Sequence, residues 1–108
     1  MNKKLPELGS LADYQAYVRQ IVTERQFEDV TLEQNCLLLG EEVGELFKAI
    51  RKQVNLSTAQ DSDEHEVAHE LVDVLIFVLA IANKLDIDLT SAFVEKETIN
   101  MRRHWRKV

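Results

Sequence analysis

At 108 residues, with 45% apolar and 30% charged side chains, the chain is long enough for one compact core and too short for two ordinary domains, so residues 1–108 are expected to form a single domain. No apolar run approaches the ~18 residues of a membrane span, since Leu71 to Ala82 is interrupted by Asp73. The formal net charge of −6 argues against a general nucleic-acid surface.

A single cysteine, Cys36, cannot close an intrachain disulfide, which fits a reducing compartment. Met1 to Gly9 carries Lys3, Lys4, Pro6 and Glu7 without an apolar signal core, so the expected location is cytoplasmic.

Four amphipathic helices are expected, and no segment alternates with the period of a strand. The first runs from Leu11 to about Asp29, with Ser10 as N-cap and Asp13 three residues later. The second opens at Thr31, where Thr31-Leu32-Glu33-Gln34 matches a capping box. Its apolar stripe is Leu32, Cys36, Leu39, Val43, Leu46, Ile50 and Val54, which predicts burial of that face, Cys36 included. Cys36 has no histidine or other base near it in sequence and is not read as a nucleophile. Gly40 and Gly44 each cost about 1 kcal/mol relative to alanine inside a helix, so they read as points of close backbone approach or of local distortion.

Asn55 to Ser62 is polar and reads as a loop, with Asp61 or Asp63 as the cap of the third helix. That helix spans roughly Glu64 to Leu85. From Leu71 onward it is apolar on nearly all sides, as in a central helix or one also covered by a second subunit, and a homodimer is therefore expected. Asp86-Ile87-Asp88 makes a tight connection, and helix four, capped by Asp88, continues from Leu89 through about Trp105. The fold class is all-α, a four-helix-bundle-like single domain.

Two acidic clusters lie inside these apolar helices: Gly40-Glu41-Glu42-Val43-Gly44-Glu45-Leu46 and Glu70-Leu71-Val72-Asp73-Val74-Leu75. With Leu39 at zero and about 100° per residue, Glu42 falls near −60° and Glu45 near −120°, bordering the stripe, while Glu41 lies farther toward solvent. Glu70 and Asp73 share one face of helix three. A single acid in such a place is more often a structural hydrogen-bond acceptor or ion-pair member. Two adjacent helices, each with an i, i+3 pair, aim four carboxylates at one point. Like charges about 4 Å apart repel by roughly 4 kcal/mol at an effective dielectric near 20, so the group needs a cation. All-oxygen ligands favour Mg²⁺, then Mn²⁺, over Zn²⁺, and Mg²⁺ commonly bridges phosphates.

Glu66-Val67-Ala68-His69 has the Glu-x-x-His spacing of di-iron bundles, but such a site needs two of these motifs and this chain has one. His65 and His69 are read as partly exposed, and His104 as part of a basic tail in which Lys96 to Val108 carries five Lys or Arg against one Glu.

The double motif resembles that of MazG-type nucleoside triphosphate pyrophosphohydrolases, in the all-α superfamily that includes dimeric dUTPases and phosphoribosyl-ATP pyrophosphohydrolase. The family signature, Glu-Glu-x-x-Glu followed by Glu-x-x-Asp, reads here Glu41-Glu42-Val43-Gly44-Glu45 and Glu70-Leu71-Val72-Asp73. The likeness extends over about Asn35 to Arg103. It implies Mg²⁺-dependent hydrolysis, with Mn²⁺ as second choice, of (deoxy)nucleoside triphosphates to monophosphate and pyrophosphate, a house-cleaning of the nucleotide pool. It implies Glu42, Glu45, Glu70 and Asp73 as metal ligands and Glu41 as a catalytic group, either supporting those ligands or helping to orient the attacking water, with Glu42 or Glu45 as the alternative contact to that water. Relatives often carry Tyr where this chain has Phe77, which keeps stacking and loses a hydroxyl. Lys96, Asn100 and Arg103, at i, i+4, i+7 on one helix face, are a candidate phosphate-binding stripe, which the likeness supports. It also suggests a tetramer built from two dimers. The alternatives are phosphoribosyl-ATP as substrate, or a non-enzymatic four-helix interaction protein.

Overall fold

The computed structural model describes residues 9–54 and 64–103, apart from the side chains of 64 and 65. Four helices occupy them: α1 Leu11–Glu24, α2 Leu32–Val54, α3 Glu64–Lys84 and α4 Leu89–Met101. No strand occurs among the described residues. The expected loop at Asn55 to Ser62, its capping aspartates and the tail from His104 lie outside them.

All three N-terminal caps predicted within the described residues form. Ser10 Oγ accepts from the Asp13 backbone N–H while the Asp13 carboxylate accepts from that of Ser10. Thr31 and Gln34 reciprocate in the same way, with bonds of 3.1 and 2.9 Å. Each box satisfies donors that a helix start leaves unpaired. Asp88 caps α4 through Thr90 N–H and Ser91 Oγ–H.

The C-terminal ends of α1 and α3 share one device. Gln26 at φ 60° and Asp86 at φ 54° take the left-handed conformation. Phe27 N–H then reaches Val22 O and Gln26 N–H reaches Thr23 O; Ile87 N–H reaches Ala82 O and Asp86 N–H reaches Asn83 O. These are two Schellman motifs built without glycine. The first ends α1 at Glu24, short of the expected Asp29, because Gln26 turns the chain. Helix four ends at Met101, with Arg102 as its C-cap; the expected end near Trp105 lies outside the described residues.

α2 and α3 form the main helix pair, α1 packs on α3, and α4 packs on α1. The pair is antiparallel: Glu42 approaches Glu70 and Asp73, while Lys52, farther along α2, lies 4.0 Å from Glu66, farther back along α3. Val18, Leu79 and Ala80 form the centre of the core, enclosed by Leu11, Val22, Ile76 and Leu89. A fully buried side chain the size of Leu79 contributes about 1.5–3 kcal/mol.

A buried polar knot ties α1 to the α3–α4 connection. Gln15, only 8% exposed, donates from Nε2 to Asn83 Oδ1 and Ile87 O, and its Oε1 accepts from Leu89 N–H. Asn83 Nδ2 donates to Gln15 O, and Arg19 donates to Asn83 Oδ1. The knot fixes α4 against α1 through paired groups at no cost in unmet polarity.

The stripe predicted to be the buried face of α2 is only partly covered, with Leu32, Leu39, Val43 and Leu46 half-buried. The buried residues of α2 are Asn35 and Ala49, in line with Glu42 at spacings of seven, whereas Cys36 is exposed and Val54 is 72% exposed. Apolar periodicity identifies a face without saying what covers it. Phe47 and Ile50 on α2, Leu71, Val72 and Leu75 on α3, and Phe93 and Val94 on α4 also stand open in the single chain. The expected close approach at Gly40 and Gly44 is absent among the described residues, since a Cβ at either would meet no atom within 4 Å.

Candidate metal and nucleotide site

Register on the α2–α3 pair explains which acids meet. Because the line Asn35–Glu42–Ala49 faces inward, Glu42 points at α3 instead of bordering the contact. Glu42, Glu70 and Asp73 each bring a carboxylate oxygen into a group whose members all lie within 4.8 Å of one another. Glu45, one turn on, falls outside this group and is exposed; it acts on Glu42 through its charge. The spacing predicts four acids at one point, and the single chain brings together three.

Partial burial, followed by the charges of Asp73 and Glu70, raises the pKa of Glu42 above the ordinary glutamate value. Desolvation and like charge both disfavour the ionised form. Glu70 Oε2 is buried with no hydrogen-bond partner among the described residues. An acceptor left in that state costs about 1–3 kcal/mol, more when charged. An all-oxygen donor set, mutual repulsion and an orphaned buried acceptor together fit a hard divalent cation.

Asp73 also borders a cavity of about 460 Å³ between α1, the segment after it, α2 and α3. That is a size typical of small-molecule sites, which run to roughly 300–1,000 Å³. Phe77, one turn beyond Asp73, lines the same space together with Phe27 and Asn35. Glu41 is exposed on α2. Lys96 and Arg103 are exposed on α4, Asn100 is half-buried, and none of the three lines this cavity. α4 packs chiefly on α1, so the single chain does not bring the stripe to the acids.

The periodicity argument passes over Gln15 and Asn35, both buried polar residues. For Asn35 a signal exists: it lies seven residues before Glu42, on one helix face. Gln15 meets its partners across 68 to 74 residues of sequence, and no local pattern announces them.

Residues 30–105 match the MazG nucleotide pyrophosphohydrolase domain. Among solved structures, the crystal structure of iMazG from Vibrio DAT 722 is similar at 32% identity and a TM-score of 0.62, covering 86% of this chain and 99% of that one. No curated protein matches the chain.

Proposed function

The chain belongs to the MazG nucleotide pyrophosphohydrolase family, and on that premise we propose that it hydrolyses (deoxy)nucleoside triphosphates between the α and β phosphates with Mg²⁺, releasing monophosphate and pyrophosphate. The observation that carries this reading is the trio Glu42, Glu70 and Asp73, with its orphaned Glu70 oxygen, at the edge of a cavity of nucleoside size.

Glu42, Glu70 and Asp73 would hold the cation, with Glu45 as a fourth ligand from the next turn. What a divalent ion supplies there is neutralisation of charge on the phosphates and a more acidic water. Glu41 orients the attacking water from the solvent side. Phe77 stacks on the nucleoside within the cavity, a contact that needs an aromatic face and no hydroxyl.

Lys96, Asn100 and Arg103 bind the phosphate oxygens that the ion leaves free. Because α4 packs on its own α1, the stripe reaches the acids from a second copy, and the protein is a homodimer or a dimer of dimers. The exposed apolar faces of α2, α3 and α4 support this, since a monomer rarely leaves so many large apolar residues in water. Mixing an inactive Glu45→Gln chain with an inactive Arg103→Ala chain then restores part of the activity, whereas a site confined to one chain gives none.

The reaction itself is tested by incubating the protein with Mg²⁺ and a panel of nucleotides in ¹⁸O-water. Monophosphate carrying the label and unlabelled pyrophosphate are expected, and diphosphate with orthophosphate would refute the bond assignment. Phosphoribosyl-ATP belongs in the panel as the competing substrate.

A further inference from the structure

Asn35 is 7% exposed and lines the cavity that Asp73 borders. No described residue forms a hydrogen bond with its side-chain amide. Asparagine is a poor helix former, so its place inside α2, against a cavity, calls for a reason. Capping does not account for it. Thr31 and Gln34 already perform that task, and the Asn35 backbone N–H is bonded to Thr31 O.

The other asparagine of the cavity, Asn83, has its amide committed to Gln15 and Arg19. Asn35 is therefore the buried amide left for whatever fills the space. It precedes Glu42 by seven residues on one face, about 10 Å along the helix. Phe77, on the opposite wall, lies one turn from Asp73. Charge, aromatic ring and free amide thus succeed one another in the order phosphate, stacked ring and ring edge of a nucleotide.

We propose that Asn35 reads the hydrogen-bonding edge of the substrate's base and so determines which nucleotide is preferred; the inference rests on the pyrophosphohydrolase reading and specifies its substrate recognition. A primary amide offers an acceptor beside donors. It matches an edge that presents an amine next to an unprotonated ring nitrogen, the pattern of adenine and cytosine, and asparagine pairs with adenine in this way in DNA recognition. Turned over, the same amide meets a carbonyl beside a ring N–H, so the preference follows from the orientation in which the cavity holds it, and a base with the opposite pattern then leaves its own groups and the amide unpaired.

The test is steady-state kinetics of wild type, Asn35→Leu and Asn35→Ala on the four common deoxynucleoside triphosphates, following pyrophosphate release, with circular dichroism melts to select folded variants. Leucine fills the volume of the amide without its polarity, and alanine serves should leucine prevent folding. The expected result is a loss of kcat/KM of roughly 10- to 100-fold on the preferred nucleotide, carried by KM, with a smaller loss on the others, so that the ranking of bases flattens. A folded variant that keeps the wild-type ranking, or loses activity equally on all four, overturns the inference alone. A wild-type chain that releases pyrophosphate from none of them overturns the functional reading and this inference with it.

Discussion

Two regions of the molecule treat buried polarity in opposite ways. Where α1 meets the α3–α4 connection, Gln15 and Asn83 bond each other, Ile87 O, Leu89 N–H and Gln15 O. Where α2 meets the middle of α3, Glu42, Glu70 and Asp73 crowd within 4.8 Å, and a buried Glu70 oxygen has no partner among the described residues. The first arrangement is complete within the chain and serves stability. The second is incomplete among the described residues, as expected of a place whose partner arrives from outside.

Breaking the acidic region has the largest expected effect. Asp73→Asn or Glu70→Gln should lower turnover by at least roughly 10²- to 10³-fold, by removing several kcal/mol of charge stabilisation at the phosphates. The melting temperature of the metal-free protein should hold or rise, because each change relieves repulsion. Retention of wild-type activity by both variants would remove these residues from the site.

Breaking the other region should show the reverse pattern. Gln15→Leu strands Leu89 N–H, Ile87 O and part of the Asn83 amide, at a cost of about 2–4 kcal/mol in urea unfolding. The rise in melting temperature on adding Mg²⁺ should persist in this variant. If stability is unchanged, the knot is ornamental and the contrast between the two regions fails.

A smaller effect sharpens the comparison through pH. The Glu42 carboxyl has a raised pKa in the folded chain, so folding favours its protonated form. Its stabilising contribution is complete below the unfolded value of about 4.3 and is lost as pH rises through the folded value. Metal-free wild type should therefore lose melting temperature relative to Glu42→Gln as pH climbs out of that range, and Mg²⁺ at neutral pH should reverse the order. Parallel melting curves for the two proteins across pH would contradict this.

The smallest effect concerns the helix ends that both regions share. Gln26→Gly and Asp86→Gly replace residues at φ 60° and 54°, and each should add about 0.5 kcal/mol, the relief of left-handed strain net of glycine's greater unfolded freedom. Denaturant midpoints read this directly.

Helix count, both capping boxes and the Asp88 cap were legible in the sequence because they are local: a side chain meets backbone three residues away. That Glu70 and Asp73 come together was legible because i, i+3 spacing puts them on one face of α3, whereas the same spacing on α2 did not bring Glu45 in beside Glu42. The direction of α2 was not legible. Cys36, Ile50 and Val54 carry the same apolar signal as core residues and stand exposed, so the inward line runs through Asn35 and Glu42. Gln15 and Asn35 were missed for a related reason. Hydrophobic periodicity counts a buried amide as a surface residue, and only the packed structure shows that one amide is bonded and the other has no partner among the described residues.

Isothermal titration of the metal-free protein with Mg²⁺ and Mn²⁺ at neutral pH, beside Glu70→Gln, bears most directly on the acidic site. A site completed by a cation gives saturable binding to the wild type, accompanied by a rise in melting temperature, and both vanish in the variant. Absence of divalent-ion binding to the wild type, or equal affinity in Glu70→Gln, would show that the three carboxylates meet for some other reason.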